Sequence, residues 1–418
     1  MEHDGASSAG QRLAAAELEA AEERLERQGR PLHAVVTAFR APPRAAEGPL
    51  LGTPIAVKDM IDVAGHPRGN GNPEDMAGAP ADADAPVVAA LRAAAADVFA
   101  MSAMLEYAAG AQHPELPEAR NPADPSRTAG GSSGGSAALV GAGVCPAALG
   151  TDTGGSIRIP AHYCGVVGFK PTFGTLPVEG VQPLAPTLDH VGILARNVAT
   201  TAMVFEAMTG TASVQAPARL RIGVLVDQLA DPRLDADVAE RIHWAVSRLD
   251  EQMDLTERAG GALDRLSDLV GDIVSFEAWQ VHGPAMTARS EHFGAPTARL
   301  LSSAAGVTED RYRKALRERS ALVPAALALL REVDVLLGPA APFVAPAVSP
   351  PIDTVEGALE GVFTGPYNVT GQPAIVLPCG IGPSGLPVGL QLAAAPGADA
   401  LLLAGAAAVE AALGRSTV

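Results

Sequence analysis

Residues 150–158 read Gly-Thr-Asp-Thr-Gly-Gly-Ser-Ile-Arg and directly follow an apolar run at 144–149, and this stretch does most to indicate the fold. The apolar run predicts a buried strand, and the two glycines leave backbone N–H groups free to converge on an oxyanion. A serine beside such donors can attack a carbonyl carbon, which makes Ser156 a candidate nucleophile. On this segment alone, an ordinary tight turn with Ser156 capping the next helix explains the sequence equally well.

A second glycine-serine segment lies upstream, Gly-Gly-Ser-Ser-Gly-Gly-Ser at residues 130–136, and an apolar helix-like run follows it at 137–140. A flexible linker would have polar flanks on both sides. A phosphate cradle would need the lysine of GxxxxGK[ST] or a GxGxxG after a strand, and neither is present. The GxSxG pattern of a nucleophile elbow matches at Ser132, but a Pro- and Asp-rich loop at 121–127 stands where the elbow needs a strand.

Lysine is rare in this chain and therefore informative. Only Lys58, Lys170 and Lys314 occur, so 27 of the 30 basic residues (30 minus 3) are arginine. Burial can make a lysine neutral, whereas an arginine stays charged. Lys58 ends the short apolar run 52–57, which predicts a buried strand with Lys58 at its C-terminal end, where α/β proteins place their chemistry. Lys58 is therefore a candidate proton acceptor.

The rest of the chain alternates helix-like and strand-like patterns. Residues 11–28 predict an amphipathic helix, and residues 85–95 followed by 97–101 predict a helix and then a strand. Similar apolar runs recur at 138–149 and 220–226. This alternation predicts a parallel α/β organisation, built as one unit or as two or three domains.

Composition limits the class of protein. With 418 residues, 48% of them hydrophobic and 18% charged, the chain can bury a large core. A net charge of −17 disfavours binding to nucleic acid or to an anionic membrane surface. No apolar run reaches the ~20 residues that a membrane-spanning helix needs, and the acidic N-terminus lacks the basic start of a signal peptide. We therefore expect a cytoplasmic protein with a small-molecule substrate and no nucleic-acid or membrane partner.

Neither the cysteines nor the histidines indicate a metal site. Cys145, Cys164 and Cys379 are an odd number, lie in apolar surroundings and form no CxxC pair, so they are interpreted as reduced core residues. The nine histidines form no HxH or HxxxH pair. The sequence thus predicts chemistry without a metal and without a cofactor.

Taken together, the two glycine-serine segments and the lysine segment resemble the amidase signature family over nearly the whole chain. The matching segments are 54–59, 130–136, 150–158, 164–172, 188–192, 370–375 and 385–391. By this resemblance the catalytic lysine of the family falls on Lys58, its bridging serine on Ser132 and its nucleophile on Ser156. The spacing of 24 positions (156 minus 132) favours Ser132 over Ser133 as the bridge. The resemblance also implies a cis peptide bond between Gly131 and Ser132.

The resemblance implies hydrolysis of an amide C–N bond through an acyl-enzyme on Ser156. Lysine normally titrates near ~10.4, so Lys58 is expected to be buried and neutral at working pH. Ser132 would then pass a proton between Ser156 and Lys58. The expected oxyanion hole consists of backbone N–H groups of Thr153, Gly154, Gly155 and Ser156.

For the fold, the resemblance implies a single α/β/α domain over residues 1–418, built around a large mixed, mostly parallel sheet. We expect residues 1–10 to be disordered, 11–48 to form an N-terminal helical segment packed on the body, and 210–275 to be a shortened variable section. Homodimers are common among members of the family, so a homodimer is compatible with the sequence.

Supporting and substrate-binding residues follow from the same resemblance. Asp152 and Arg158 are expected to form an ion pair that shapes the nucleophile loop, and Lys170 to have a structural role. Gly131 and Ser133 would support Ser132. The candidates for the substrate pocket are Met104, Tyr107, Gln280, His282, Tyr367 and Asn368. The stretches 68–70 and 101–103 depart from the usual family pattern and are expected to remodel this pocket.

Two other functions stay open. The first is the glutaminase (A-type) subunit of a tRNA-dependent amidotransferase, which would need partner subunits to hydrolyse an amide. The second is a catalytically silent binding protein with the same fold, although Lys58, Ser132 and Ser156 are all present. Among hydrolase substrates, the sequence does not decide between aliphatic, aryl and urea-type amides.

Overall fold

Strand-forming segments account for the central layer of the protein. The structure, a computed structural model, describes residues 2–414, with side chains from residue 11 onward. The strands are β1 Val35–Ala41, β2 Pro54–Lys58, β3 Asp97–Ser102, β4 Ala147–Asp152, β5 Val167–Lys170, β6 His190–Ala195, β7 Arg221–Leu225, β8 Asp254–Arg258, β9 Val335–Pro339, β10 Ala374–Ile381 and β11 Pro387–Ala393. They form one 11-stranded sheet in the order β1-β3-β2-β4-β6-β5-β10-β11-β9-β7-β8. The predicted large sheet is confirmed, and β2, β3, β4 and β7 fall on the apolar runs that predicted them.

The sheet is mixed, as predicted. Parallel pairing occurs in two blocks, where β2 lies between β3 and β4, and where β7 lies between β8 and β9. The strands between these blocks, and β1 at the edge, pair antiparallel. Because β2 and β4 run parallel, their carboxyl ends, which carry Lys58 and Asp152, lie at the same edge of the sheet.

Helices cover the sheet. They are α1 Glu2–Arg24, α2 Pro73–Met76, α3 Pro86–Ala93, α4 Gly134–Gly141, α5 Arg158–Cys164, α6 Val198–Thr209, α7 Val226–Leu229, α8 Ala236–Asp250, α9 Gly261–Ala288, α10 Ala295–Ala304, α11 Glu309–Ala328, α12 Val355–Glu360, α13 Pro366–Val369 and α14 Asp399–Leu413. Short 3₁₀ turns span Glu106–Ala108 and Ser290–His292. Across the part of the chain that the structure describes, no helix is long and apolar enough to cross a membrane.

Alternating side chains of the central strands pack into two hydrophobic cores on opposite faces of the sheet. Ile55 and Val57 of β2 pack into one core with residues of α3, α6, α8 and α14, while Ala56 packs into the other with α1, α4 and α5. Successive residues of a strand point to opposite faces, so the sheet is sandwiched between helical layers. This arrangement is the predicted α/β/α architecture.

The N-terminal segment corrects one prediction. Residues 11–48 were expected to be helical, but α1 continues only through a π-helical turn at Leu25–Gly29, and residues 35–41 then form the edge strand β1. The segment Val-Val-Thr-Ala-Phe is rich in β-branched and aromatic residues, which favours a strand paired with β3. Residues 2–10, for which disorder was predicted, form the start of α1, but the structure describes no side chains there, and the prediction stays a prediction.

The section 210–275 contributes β7, α7, α8, β8 and the first half of α9, and so builds the far edge of the sheet. Its predicted shortening relative to the family stays a prediction. Because one sheet joins strands from both ends of the chain, the topology supports the expectation of a single domain.

Candidate active site

Lys58 lies at the carboxyl end of β2 and is fully buried. Its Nζ is 2.7 Å from the hydroxyl oxygen of Ser132 and 2.7 Å from that of Thr151. Burial lowers the pKa of Lys58 to about 7, although the negative charges of Asp152 and Asp189 act in the opposite direction. The amine can therefore be neutral near pH 7 while in contact with two hydroxyl groups.

Ser132 lies in the loop before α4, and its peptide bond with Gly131 is cis, as the family resemblance implied. Its side chain is buried, and its carbonyl oxygen accepts a hydrogen bond from the Leu105 N–H at 3.2 Å. A side chain at Gly131 would overlap that of Leu105, so glycine is required for this close approach. The predicted supporting role of Gly131 thus has a steric basis.

Ser133 ties the two glycine-serine segments together. Its N–H donates to the Ser156 carbonyl at 3.1 Å, and its hydroxyl donates to the Thr151 carbonyl at 3.1 Å. The same hydroxyl accepts from the Thr151 N–H at 3.2 Å. These bonds fix the backbone beside Ser132 against the loop that carries Ser156, so segments 130–136 and 150–158 meet as expected.

Ser156 is partly exposed and lies between β4 and α5. Within the described residues its hydroxyl makes no hydrogen bond, although its backbone is bound to that of Ser133. Catalytic hydrogen bonds are often long before a substrate binds, so this geometry leaves Ser156 available as a nucleophile.

The predicted oxyanion hole needs one correction. The Gly155 N–H donates to the Asp152 carboxylate at 2.9 Å, so it does not face the space above Ser156. By contrast, the N–H groups of Thr153, Gly154 and Ser156 have no acceptor within residues 11–414. Gly155 has φ = 139°, a conformation that favours glycine, and turns its N–H back to the carboxylate. Three of the four predicted donors therefore stay free to bind an oxyanion.

Asp152 and Arg158 form the predicted ion pair, and both are fully buried. Arg158 Nη2 lies 2.8 Å from Asp152 Oδ1, and Nε lies 3.0 Å from Oδ2. Burial alone would raise the pKa of Asp152, but the Arg158 charge and its hydrogen bonds hold that pKa well below the usual range. Asp152 also accepts from the Gly155 and Ile157 N–H groups, so the pair shapes the loop around Ser156.

Two predicted pocket residues belong to this buried network or to the core. Asn368 Oδ1 accepts from Arg158 at 2.7 Å, and Asn368 Nδ2 donates to the carboxylate and to the carbonyl of Asp152 at 2.9 Å. Tyr367 is 2% exposed and packs in a hydrophobic cluster with α9 and α11. The prediction that they line a substrate pocket is therefore wrong, because both side chains point into filled space.

Several supporting residues were not singled out from the sequence. Thr151 contacts the Lys58 amine, and Asp189 accepts a hydrogen bond from the Thr153 hydroxyl at 2.6 Å. Thr364 and Gln391 provide further acceptors for Arg158, at 2.8 and 2.7 Å. The sequence held a signal for two of these residues, because Asp189 and Gln391 fall inside segments that match the family pattern.

Lys170 is buried at the end of β5. Its amine donates to the carbonyls of Pro171 at 3.3 Å and Gln372 at 2.5 Å, and it lies 3.2 Å from His190 Nε2. Burial, and the nearby charge of Arg158, lower the pKa of Lys170. These contacts join β5 to the segment before β10, which supports the structural role expected for Lys170.

The other pocket candidates lie in different places. Tyr107 and His282 line a cleft of about 910 Å³. Met104 lines a separate groove of about 320 Å³. Gln280 is exposed on α9 and lines neither. A small cavity of about 50 Å³ is lined by Thr153 and by Thr151, whose hydroxyl contacts the Lys58 amine.

The cysteines are interpreted as core residues in the structure as well, since Cys145, Cys164 and Cys379 are buried and free. Burial raises the pKa of the Cys145 and Cys379 thiols to about 12, so neither is a reactive thiolate near pH 7. Among the side chains the structure describes, no three His, Cys, Asp or Glu groups converge so as to hold a metal ion.

Comparisons with known proteins agree with this geometry. A family model described as Amidase matches residues 14–403. The chain is 34% identical over 400 residues to the A-type subunit of the glutamyl-tRNA(Gln) amidotransferase of Symbiobacterium thermophilum, covering 85% of this chain and 82% of that protein. It is also 34% identical over 395 residues to AtzE, the 1-carboxybiuret hydrolase subunit of Pseudomonas sp. strain ADP, covering 85% and 82%. A solved structure described as an amidase matches with a TM-score of 0.85 at 33% identity, over 97% of this chain and 99% of that one.

Proposed function

The chain belongs to the amidase family, and we propose that it hydrolyses the C–N bond of a small carboxamide or urea-type amide to a carboxylate and ammonia or an amine. The observation that carries this proposal is the contact of 2.7 Å between the Lys58 amine and the Ser132 hydroxyl, at a lysine whose pKa is lowered to about 7. A neutral buried amine in this position is a base placed against a hydroxyl group.

In the first half of the proposed reaction, neutral Lys58 accepts the proton of Ser132 while Ser132 accepts that of Ser156. The Ser156 oxygen then bonds to the substrate carbonyl carbon and forms a tetrahedral intermediate. The free N–H groups of Thr153, Gly154 and Ser156 would stabilise its oxyanion, and each such donor contributes roughly 3 kcal/mol in comparable sites.

In the second half the relay runs in reverse. Lys58 returns its proton through Ser132 to the leaving nitrogen, the C–N bond breaks, and an ester on Ser156 remains. Water then attacks this acyl-enzyme while the same base accepts its proton, the C–O bond to Ser156 breaks, and the proton returns through Ser132 to the Ser156 oxygen as the carboxylic acid is released. The Asp152–Arg158 pair takes no part in proton transfer, because its role is to hold the loop that carries the nucleophile.

The test is a panel of aliphatic, aryl and urea-type amides with ammonia and amine detection. We expect the wild type to act on at least one class, and Ser156→Ala and Lys58→Ala to lose that activity. Ser303→Ala and Lys314→Ala, at exposed positions on α10 and α11, are the matched controls and should keep it. Equal rates for wild type and Ser156→Ala would contradict the mechanism. A folded wild type inert toward every amide would favour either the binding protein or the amidotransferase subunit, and only the subunit would gain activity when partner subunits are added.

A second candidate function is supported by the similarity to the A-type subunit of a glutamyl-tRNA(Gln) amidotransferase. Under this alternative the chain hydrolyses glutamine for a partner enzyme. Purified chain alone would then be nearly inactive on glutamine and other amides, and addition of partner subunits would restore glutaminase activity. Activity of the isolated chain on a simple amide favours the independent hydrolase.

We also propose that the protein forms a homodimer and is located in the cytoplasm. Relatives named as subunits occur in assemblies, so association with another chain is in keeping with the family. Sedimentation of the purified protein distinguishes a monomer from a dimer. Cell fractionation tests the location, and recovery in a membrane or extracellular fraction would contradict it.

A further inference from the structure

The Thr151 hydroxyl beside Lys58 has a second partner, which the proposed reaction does not use. Its oxygen lies 2.7 Å from Lys58 Nζ and 3.2 Å from the sulfur atom of Met60. Sulfur is larger than oxygen, so 3.2 Å is a close contact. Among residues 11–414 this hydroxyl makes no hydrogen bond besides these two.

Met60 is held firmly in this place. It lies two residues after Lys58, just beyond the end of β2, and is 2% exposed. Its N–H donates to the Lys58 carbonyl at 2.7 Å, and its carbonyl accepts from the Gln182 N–H at 2.9 Å. Met60 and Thr151 also line the same small cavity. The sulfur is therefore packed against Thr151 by a fixed backbone.

The position of the Thr151 oxygen is fixed as well. Thr151 belongs to β4, which pairs with β2 and β6, and both its N–H and its carbonyl are bound to the Ser133 hydroxyl. A β-branched side chain has little rotational freedom about its first bond. Only the direction of the hydroxyl hydrogen is then left to be decided by the neighbouring atoms.

The sulfur decides that direction, because a thioether accepts a hydrogen bond and cannot donate one. When the Thr151 hydroxyl donates to Met60, the lone pairs of its oxygen face Lys58, and the amine donates to them. A neutral amine has two N–H groups and one lone pair. Its other contact is the Ser132 hydroxyl at 2.7 Å, so the lone pair is left for Ser132.

We propose that Met60 is a positioning residue, whose sulfur directs the Thr151 hydroxyl so that the lone pair of neutral Lys58 faces Ser132. This inference rests on the proposed function, in which Ser132 gives its proton to that lone pair. The hydrogen bonds run in one direction, from Ser132 through Lys58 and Thr151 to Met60. Protonated Lys58 also donates to Thr151, so the Thr151 hydroxyl need not turn when the proton moves.

Without the sulfur, the Thr151 hydroxyl has an alternative. It can turn toward Lys58 and donate to the lone pair of the neutral amine, in competition with Ser132. This arrangement stabilises the neutral amine but makes it a poorer base toward Ser132. Loss of the sulfur should therefore affect both the titration of Lys58 and the rate.

The charged groups around Lys58 stay the same in this comparison. Asp152 and Asp189 are the carboxylates whose charges act on the Lys58 amine. Burial raises the pKa of the neighbouring Asp59 to about 7, and its carboxylate accepts from two backbone N–H groups. The variants below replace none of these residues, so a change in the Lys58 titration reports on the hydroxyl and the sulfur.

The test measures the pKa of Lys58 directly. The chain contains only three lysines, so lysine labelled with an isotope at Cε gives three NMR signals, and Lys58→Met identifies that of Lys58. Met60→Leu keeps the volume of the side chain and removes the acceptor. We expect Met60→Leu to lower the pKa of Lys58 by about 0.5, because the hydroxyl can then stabilise the neutral amine.

A second background separates positioning from packing. In Thr151→Val there is no hydroxyl to direct, so addition of Met60→Leu should leave the pKa of Lys58 unchanged. A packing defect would act in both backgrounds. Met253→Leu is the matched control, since Met253 is also buried and its sulfur accepts no hydrogen bond in the described part of the chain. It should leave the pKa of Lys58 as in the wild type.

The rates follow the same pattern on an amide that the wild type hydrolyses. Met60→Leu should lower kcat/KM about threefold, with the loss in kcat, because the change acts on proton transfer. The double variant should be no slower than Thr151→Val alone. The NMR titration needs no turnover, so this inference and the proposed hydrolysis fail separately.

Two results would overturn the proposal. The first is an unchanged pKa of Lys58 in Met60→Leu. The second is an equal decrease with and without Thr151→Val, which would show that Met60 acts through packing. Should Met60→Leu fail to fold, norleucine in place of the nine methionines replaces each sulfur by a methylene group. An equal effect of norleucine in both backgrounds would then reject the proposal.

Discussion

Lys58 and Lys170 occupy comparable places in the sheet but have different surroundings. Each is the last residue of a strand, each is fully buried, and burial lowers the pKa of each. Lys58 contacts two hydroxyl groups, those of Ser132 and Thr151. Lys170 contacts two carbonyl oxygens and the ring of His190.

The difference lies in what the partner atoms can do with a proton. A hydroxyl can donate or accept, so a neutral Lys58 can take a proton from Ser132 and return it. Carbonyl oxygens only accept, and His190 Nδ1 donates to the Leu188 carbonyl, which leaves Nε2 as a third acceptor for Lys170. Burial alone therefore does not distinguish a catalytic lysine from a structural one, whereas the partner atoms do.

The largest effect is expected when the Lys58 amine is removed. Lys58→Met should lower kcat/KM for the best amide of the panel by about 10⁴, because the base of the relay is lost. Thermal unfolding should show a folded protein, since methionine fills the same buried space. Retention of more than a tenth of the wild-type rate would show that Lys58 is not the base of the relay. The comparison of Lys58 with Lys170 would then lose its basis.

Removal of the Lys170 amine should act on stability instead. Lys170→Met leaves two carbonyls and a ring nitrogen buried without a donor, and we expect a loss of about 3 kcal/mol in the free energy of unfolding. Urea denaturation measures it, with Lys314→Met on the exposed face of α11 as the control. If the rate per folded molecule of Lys170→Met falls as far as that of Lys58→Met, the two lysines have equivalent roles in catalysis and the comparison is wrong.

The pH dependence of the rate sharpens the comparison further. Only neutral Lys58 can accept a proton, and its pKa is lowered to about 7. Below pH 7 the protonated form dominates, so kcat/KM should fall about tenfold per pH unit; above pH 7 it should level off. A pH–rate profile from 5 to 9 tests this expectation, and a flat profile across that range would contradict it.

The smallest effect concerns the second hydroxyl beside Lys58. Thr151→Val removes one of the two groups that orient the amine and should lower kcat/KM about threefold. It should also move the acid limb of the pH–rate profile to lower pH, since a hydrogen bond that stabilises the ammonium is lost. Thr256→Val on the exposed face of β8 is the control. If the acid limb of the pH–rate profile does not move, the Thr151 hydroxyl does not affect the pKa of Lys58, and Ser132 is the hydroxyl that matters.

The contacts of residues in short segments that match the family pattern were predicted well. Lys58 and Ser132 meet at the end of β2, the Asp152–Arg158 pair forms, and the cis bond precedes Ser132. The strand-end position of Lys58 follows from the apolar run before it, whereas the role of Ser132, the ion pair and the cis bond were implied by the resemblance to the family. The apolar runs, which are contiguous in the chain, predicted an α/β organisation, and the mixed sheet was implied by the resemblance.

Predictions failed where long-range contacts or bond directions decide the outcome. The direction of the Gly155 N–H depends on φ, which the sequence does not give. Asn368 reaches Asp152 across 216 positions, and no local pattern indicates that contact. The edge strand β1 was missed because its partner β3 lies about sixty residues away. The cleft that Tyr107 and His282 line was missed as a unit for the same reason, since α9 and the segment 62–86 meet only in the folded chain.

The hydrogen bonds of Ser133 and Asp152 have a consequence for heat inactivation. They attach the nucleophile loop to strand β4, which lies inside the sheet with β2 on one side and β6 on the other. The loop therefore cannot open locally while that strand stays paired. Loss of activity on heating and loss of the folded state should then be a single event, with no temperature range in which the protein is intact but its nucleophile is displaced.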